Sequence, residues 1–139
     1  FTYPASPHLA AKIDNRVIDF DKIEKATETL RQHYDIVLLE GAGGLMVPLT
    51  DHLLTIDYIA RKQYPLILVT SGRLGSINHT LLSFEAIERR GIRLHSVVYN
   101  LFDENPAPII RDDTFQYIQR EMNKRFPEAE IKMLSSIDF

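Results

Sequence analysis

Leu66-Ile67-Leu68-Val69-Thr70-Ser71-Gly72-Arg73-Leu74-Gly75-Ser76-Ile77-Asn78-His79 carries the decision about the fold. It opens with an unbroken apolar run and passes through two glycines. It then enters a segment that Ser76 is placed to cap as a helix. A strand this apolar is buried on both faces, as in a parallel sheet covered by helices. A strand running straight into a helix is half of a βαβ unit.

The same alternation extends in both directions. Upstream, Phe20, Ile23, Ala26 and Leu30 stand at helical spacing behind Asp19, a suitable N-cap. Asp35-Ile36-Val37-Leu38-Leu39-Glu40 reads as a strand ending in a carboxylate. Thr55 opens a helix through Ile56 and Ile59 that must stop before Tyr64-Pro65. Downstream, the helix from Ser76 ends at Gly91. Leu94 to Tyr99 is a third strand, Phe115 to Phe126 a third long helix, and Ile131 to Leu134 a fourth strand. The expected fold is α/β, a mostly parallel sheet with helices on both faces. Asp112 and Asp113 are expected in the first turn of the last helix, where acids are favoured.

Composition sets the outer bounds. A chain of 139 residues is one domain or part of one. Sixteen Lys and Arg against nineteen Asp and Glu leave a net charge of −3, which argues against a nucleic-acid partner. With no cysteine, disulfides, thiolate chemistry and cysteine zinc sites are excluded. Apolar runs such as Leu66 to Val69 are far too short to span a bilayer, so no membrane is expected, and a cytoplasmic location is. The chain opens on Phe1 rather than Met, and Phe1 to Pro7 reads as a loop entered midway; the expectation is an excerpt of a longer chain.

In a doubly wound sheet, ligands bind beyond the carboxyl ends of the strands. Three segments occupy those positions. Glu40-Gly41-Ala42-Gly43-Gly44 offers a projecting carboxylate followed by glycines that let a phosphate approach the backbone. A carboxylate beside a phosphate-sized gap suits Mg²⁺, which wants oxygen ligands. The competing reading is a tight turn with Glu40 in a salt bridge. Gly72 to His79 places a helix N-terminus behind a glycine loop, which favours an anion. It lacks the Gly-Lys-Ser/Thr ending of a phosphate-binding P-loop, so a substrate carboxylate fits it better than a triphosphate. The competing reading is a capped helix with Asn78 and His79 turned to solvent. Third, Asn100 ends a strand, where an amide suits a purine edge or simply forms a turn.

The helix after Ser76 has apolar residues on two sides: Ile77, Leu81, Phe84 and Ile87 in one stripe, Leu82 and Ala86 nearly opposite. Two apolar sides imply burial against the sheet and against something else, either a second subunit or a neighbouring helix. The five histidines show no metal-ligand spacing, and no P-loop motif occurs anywhere in the chain.

In order, Pro4 to His8, Tyr34 to Gly44, Gly75 to Leu82 and Asn100 resemble the C-terminal part of the dethiobiotin synthetase family, over about residues 1 to 126. The Glu-Gly-Ala-Gly-Gly stretch is shared with related amide-forming P-loop enzymes. Its pairing with Gly-Ser-Ile-Asn-His-Thr-Leu-Leu at this spacing is more specific. The resemblance implies a P-loop NTPase-like fold and an ATP-dependent ligase of biotin synthesis, closing a ureido ring on 7,8-diaminononanoate with CO₂ and ATP. A carbamate forms on one amine, is phosphorylated, and is attacked by the other amine. The resemblance further implies that Glu40 binds Mg²⁺ and is catalytic, with Gly41, Ala42 and Gly43 near the phosphates. Asn100, with Leu101 beside it, matches the adenine position. Leu74, Gly75, Ser76, Ile77 and Asn78 match the segment that receives the substrate carboxylate across a homodimer interface. Phe115 and Tyr117 compete for a family tyrosine that also holds the carboxylate, and Tyr117 is favoured. The family's P-loop and carbamate-stabilising lysine have no counterpart here, so the isolated chain is expected to be inactive. Two alternatives stand beside this reading: a related P-loop amide-forming synthase acting on a corrinoid acid, and a non-catalytic dimerisation or regulatory module.

Overall fold

The computed structural model describes residues 1–101 and 107–134. The chain divides into two compact units, Phe1–Tyr58 and Ile59–Phe139.

The first unit opens with α1 (Pro7–Ile13). Pro7 stands in the first turn of α1 rather than in an entry loop, since a proline there loses no helical hydrogen bond. α2 (Phe20–Arg31) begins where expected, with Asp19 accepting a hydrogen bond from the Lys22 N–H at 2.9 Å. A short antiparallel pair follows, β1 (Pro48–Thr50) and β2 (Leu53–Leu54), which the sequence reading did not foresee. α3 (Thr55–Lys62), whose residues from Ile59 on belong to the second unit, ends as expected before Tyr64-Pro65, with Gln63 in the left-handed region at φ 54°.

One expectation fails in this unit. Asp35 to Glu40 forms no strand, and Ile36, Leu38 and Leu39 are 78%, 77% and 51% exposed. A strand exists only through a hydrogen-bonded neighbour. Among the described residues this segment has none, so its apolar side chains are left in solvent.

The second unit is a parallel three-stranded sheet in the order β3 (Leu66–Ser71), β4 (Leu94–Asn100), β5 (Glu130–Leu134). It is flanked by α4 (Ser76–Arg89) and α5 (Pro108–Arg125). This is the α/β class read from the sequence. Register pairs Thr70 with Tyr99 and Ser71 with Asn100, so the ends of β3 and β4 lie side by side. Both helices pack on the face that carries Thr70 and Tyr99. Thr80 of α4 bonds Thr70, and Phe115 of α5 meets the Tyr99 ring edge-on at 5.3 Å. Phe84, Ile87, Val97, Tyr99 and Ile118 are fully buried there. The Tyr99 hydroxyl donates to the Arg111 carbonyl at 2.9 Å. Ile67 and Val69, on the other face of β3, are 42% and 62% exposed.

Two local expectations are corrected. α5 begins at Pro108, not Phe115, because Pro108 is itself a helix-start signal. Asp112 and Asp113 therefore fall beyond the first turn, which holds no acid. Ser76 is the first helical residue rather than the cap. The N-cap is Gly75, at φ 94° and with no side-chain cap bond, a conformation that suits glycine. Residues 102–106, just beyond Asn100 and Leu101, lie outside the described residues.

Candidate functional site

A cavity of about 400 Å³ opens in the second unit where β3 passes into α4. Leu74, Ser76 and Asn100, three of the residues predicted from sequence, line it together. Thr70, Ser71, Arg73, His79, Thr80 and Ser83 complete its polar lining, and no Asp or Glu is among the lining residues described. Sequence reasoning had not assigned these six roles. The signal was available: Ser76, Thr80 and Ser83 recur at helical spacing, on a helix whose buried stripe continues through Phe84 and Ile87.

The lining is set by local structure. Ser71 ends β3 and Ser76 begins α4, with their Oγ atoms 3.1 Å apart. Thr70 and Thr80 face each other with Oγ1 atoms 2.6 Å apart. Between these residues the Gly72–Gly75 turn carries Leu74 out into solvent, 97% exposed. At the start of α4, the Ser76 N–H donates to the Arg73 carbonyl and the His79 N–H to the Gly75 carbonyl. Among the described residues, the N–H groups of Ile77 and Asn78 find no backbone acceptor. Two open N–H groups, the positive end of a 14-residue helix and an arginine side chain all favour an anion.

The other predicted residues are more scattered. Ile77 is half-buried and Asn78 exposed on the first turn of α4. Asn100 closes β4, and the Leu101 N–H continues the ladder to the Leu134 carbonyl at 2.9 Å. Tyr117 does not line the cavity; its ring lies under the Arg120 guanidinium at 4.9 Å. Phe115, its rival, is turned onto Tyr99.

Glu40 and the glycines after it belong to the first unit. Glu40 is exposed. A Cβ at Gly41 would stand 3.1 Å from Thr55 Cγ2, and one at Gly43 would stand 3.0 Å from Val47 Cγ2. Gly43 also has φ +85°. The turn is thus shaped to press its backbone on Val47 and Thr55, and larger residues are disfavoured there. Thr55 reinforces this by donating both N–H and hydroxyl to the Val47 carbonyl, at 2.9 and 3.1 Å. Among the described residues no three His, Asp or Glu side chains cluster as a metal site. Glu40, the residue expected from sequence to meet Mg²⁺, offers one exposed carboxylate, a hard oxygen donor of the kind that ion takes. Among the described residues no helix is long and apolar enough to cross a membrane.

Residues 1–138 match the family described as AAA domain. The chain is 47% identical over 137 residues to ATP-dependent dethiobiotin synthetase BioD 2 of Pasteurella multocida, covering 99% of this chain and 64% of that protein. Against BioD 2 of Haemophilus influenzae it is 62% identical over 111 residues, covering 80% of this chain and 58% of the relative. Against dethiobiotin synthetase BioD of Chlorobaculum tepidum it is 57% identical over 104 residues, covering 75% and 44%. The chain therefore spans less than two thirds of the length of each of these relatives.

Proposed function

This chain belongs to the AAA-domain family, and we propose that it is part of an ATP-dependent dethiobiotin synthetase, closing the ureido ring from 7,8-diaminononanoate, CO₂ and ATP. The observation that carries the reading is the start of α4. Two N–H groups without a backbone acceptor follow directly on Ser76, which lines a cavity together with other hydroxyls and Arg73, and no Asp or Glu is among the lining residues described. That is a receptor for the carboxylate of an amino acid. The identity to proteins named as dethiobiotin synthetases supports the choice of substrate.

Each part of the chain has a defined task in this reading. The N–H groups of Ile77 and Asn78, with the Ser76 hydroxyl and Leu74–Gly75 around them, bind the carboxylate and fix the far end of the diamine. Binding energy gained there holds the reacting amines in place. Glu40 supplies one oxygen ligand to Mg²⁺, and the ion when bound neutralises phosphate charge. The backbone of Gly41, Ala42 and Gly43 lies close enough to a surface for phosphate oxygens to reach it. Tyr117 adds a hydroxyl from α5. The exposed Leu82 and Leu74, at 56% and 97%, support assembly as a homodimer through α4.

Asn100 and Leu101 are assigned to the adenine. One observation favours a second role for Asn100: it lines the same cavity as Ser76. Replacement by Ala separates the roles. The KM for ATP rises if the amide holds adenine, and the KM for the diamine rises if it holds the carboxylate.

The reading is tested by assaying dethiobiotin formation by the full-length enzyme and by the 139-residue chain alone. The full-length enzyme should make dethiobiotin from diaminononanoate, bicarbonate and ATP. The 139-residue chain, which contains no P-loop motif, should make none. A full-length enzyme that turns over ATP without forming a ureido ring would overturn the assignment.

A further inference from the structure

We propose that the Thr70–Thr80 hydroxyl pair is a positioning element of the carboxylate site, setting the register of the first two turns of α4 against β3. The inference rests on the reading that the start of α4 receives the substrate carboxylate. Thr80 is 3% exposed and lies one turn beyond Ser76. Its Oγ1 is 2.6 Å from Thr70 Oγ1, and both residues line the cavity.

The remaining buried stripe of α4 holds Phe84 and Ile87. Apolar burial is non-directional and permits small slides along a helix axis. A hydrogen bond fixes distance and angle. Nor does the helix start locate itself, because its N-cap Gly75 makes no side-chain bond. The only side-chain hydrogen bonds joining β3 to α4 among the described residues are Ser71–Ser76 and Thr70–Thr80, one on each side of the first helical turn.

Packing does not require these hydroxyls. Two valines would fill the same space, and removing both partners of a buried hydrogen bond together is close to neutral for stability. β3 itself is well anchored, since Thr70 lies in register with the fully buried Tyr99, whose hydroxyl is bonded to Arg111. The pair thus transmits a fixed strand position to the N–H groups of Ile77 and Asn78.

The test uses the full-length enzyme with two substrates: 7,8-diaminononanoate and 7,8-diaminononane, the same diamine without the carboxylate. In T70V/T80V the KM for the acid should rise about tenfold, while kcat, the KM for ATP and the KM for diaminononane stay at wild-type values. T70S/T80S keeps both hydroxyls and loses two methyl groups. It should lower the Tm yet retain the wild-type KM for the acid. An unchanged acid KM in T70V/T80V, in an enzyme that prefers the acid to the diamine, overturns the inference and leaves the carboxylate reading intact. So does an acid KM that follows Tm through both variants. A wild-type enzyme that treats the two substrates alike overturns the carboxylate reading itself.

Discussion

Ser71 Oγ lies 3.1 Å from Ser76 Oγ, so the last residue of β3 is tied directly to the first residue of α4. The Gly72–Gly75 turn between them is thereby held closed at both ends. Ser76→Ala removes this tie and one hydroxyl from the cavity. A lost hydrogen bond of this kind costs about 1 kcal/mol, several-fold in KM. The expected outcome is a several-fold higher KM for diaminononanoate with an unchanged KM for ATP, read from steady-state kinetics. Equal changes in both constants would speak against a substrate-side role.

Glu40→Gln is expected to reduce turnover by about 10²-fold or more, because an amide is a poor Mg²⁺ ligand and leaves phosphate charge unneutralised. Assays at saturating Mg²⁺ check it. Turnover within a few-fold of wild type would return Glu40 to an ordinary surface carboxylate on a tight turn.

Leu82→Glu is expected to weaken the dimer and raise the KM for the diamine, leaving ATP binding nearly intact. In a two-fold interface the substitution acts twice. Leu82 is 56% exposed, so the unit itself does not bury it. Analytical ultracentrifugation is the check. A variant that stays dimeric and only loses thermal stability would exclude the interface.

A carboxylate within α5, Glu121, predicts an acid limit. Arg125 Nη1 lies 3.1 Å from Glu88 Oε2, joining the two helices, and its Nε lies 3.9 Å from Glu121 Oε2. The hydrogen bond from Lys124, and then its charge, hold the Glu121 carboxyl below its ordinary value. A carboxylate with a depressed folded pKa contributes its stability above the unfolded value, near ~4.3, and loses it as pH falls through the folded one. Stability should therefore hold from neutral pH to about 5 and decline below about 4. The effect should be small and weakened by salt, since these side chains are partly exposed. Glu121→Gln should flatten the decline in thermal melts, and an unaltered profile would contradict the role of this carboxyl.

The elements that sequence reading placed well are those decided locally. Asp19 caps α2, Pro65 limits α3, and the apolar runs of β3 and β4 flank a helix that starts at Ser76. Asp35 to Glu40 has the same apolar character as β3 yet finds no strand partner among the described residues, because strand formation depends on a neighbour that composition does not reveal. The start of α5 is marked by Pro108, a local helix-start signal that lies upstream of Phe115. In the site, Leu74, Ser76 and Asn100 were legible as residues beyond strand ends. Thr70 and Thr80 were not, since each is an ordinary residue for its element and only their approach gives them meaning.

The central claim is that the start of α4 holds the substrate carboxylate, and amide NMR of the full-length enzyme titrated with 7,8-diaminononanoate tests it most directly. The account predicts that the largest amide proton shifts fall on Ile77 and Asn78, as their open N–H groups gain an acceptor, and that 7,8-diaminononane leaves them unmoved. Shifts centred elsewhere, with Ile77 and Asn78 unchanged at saturation by the acid, would contradict it.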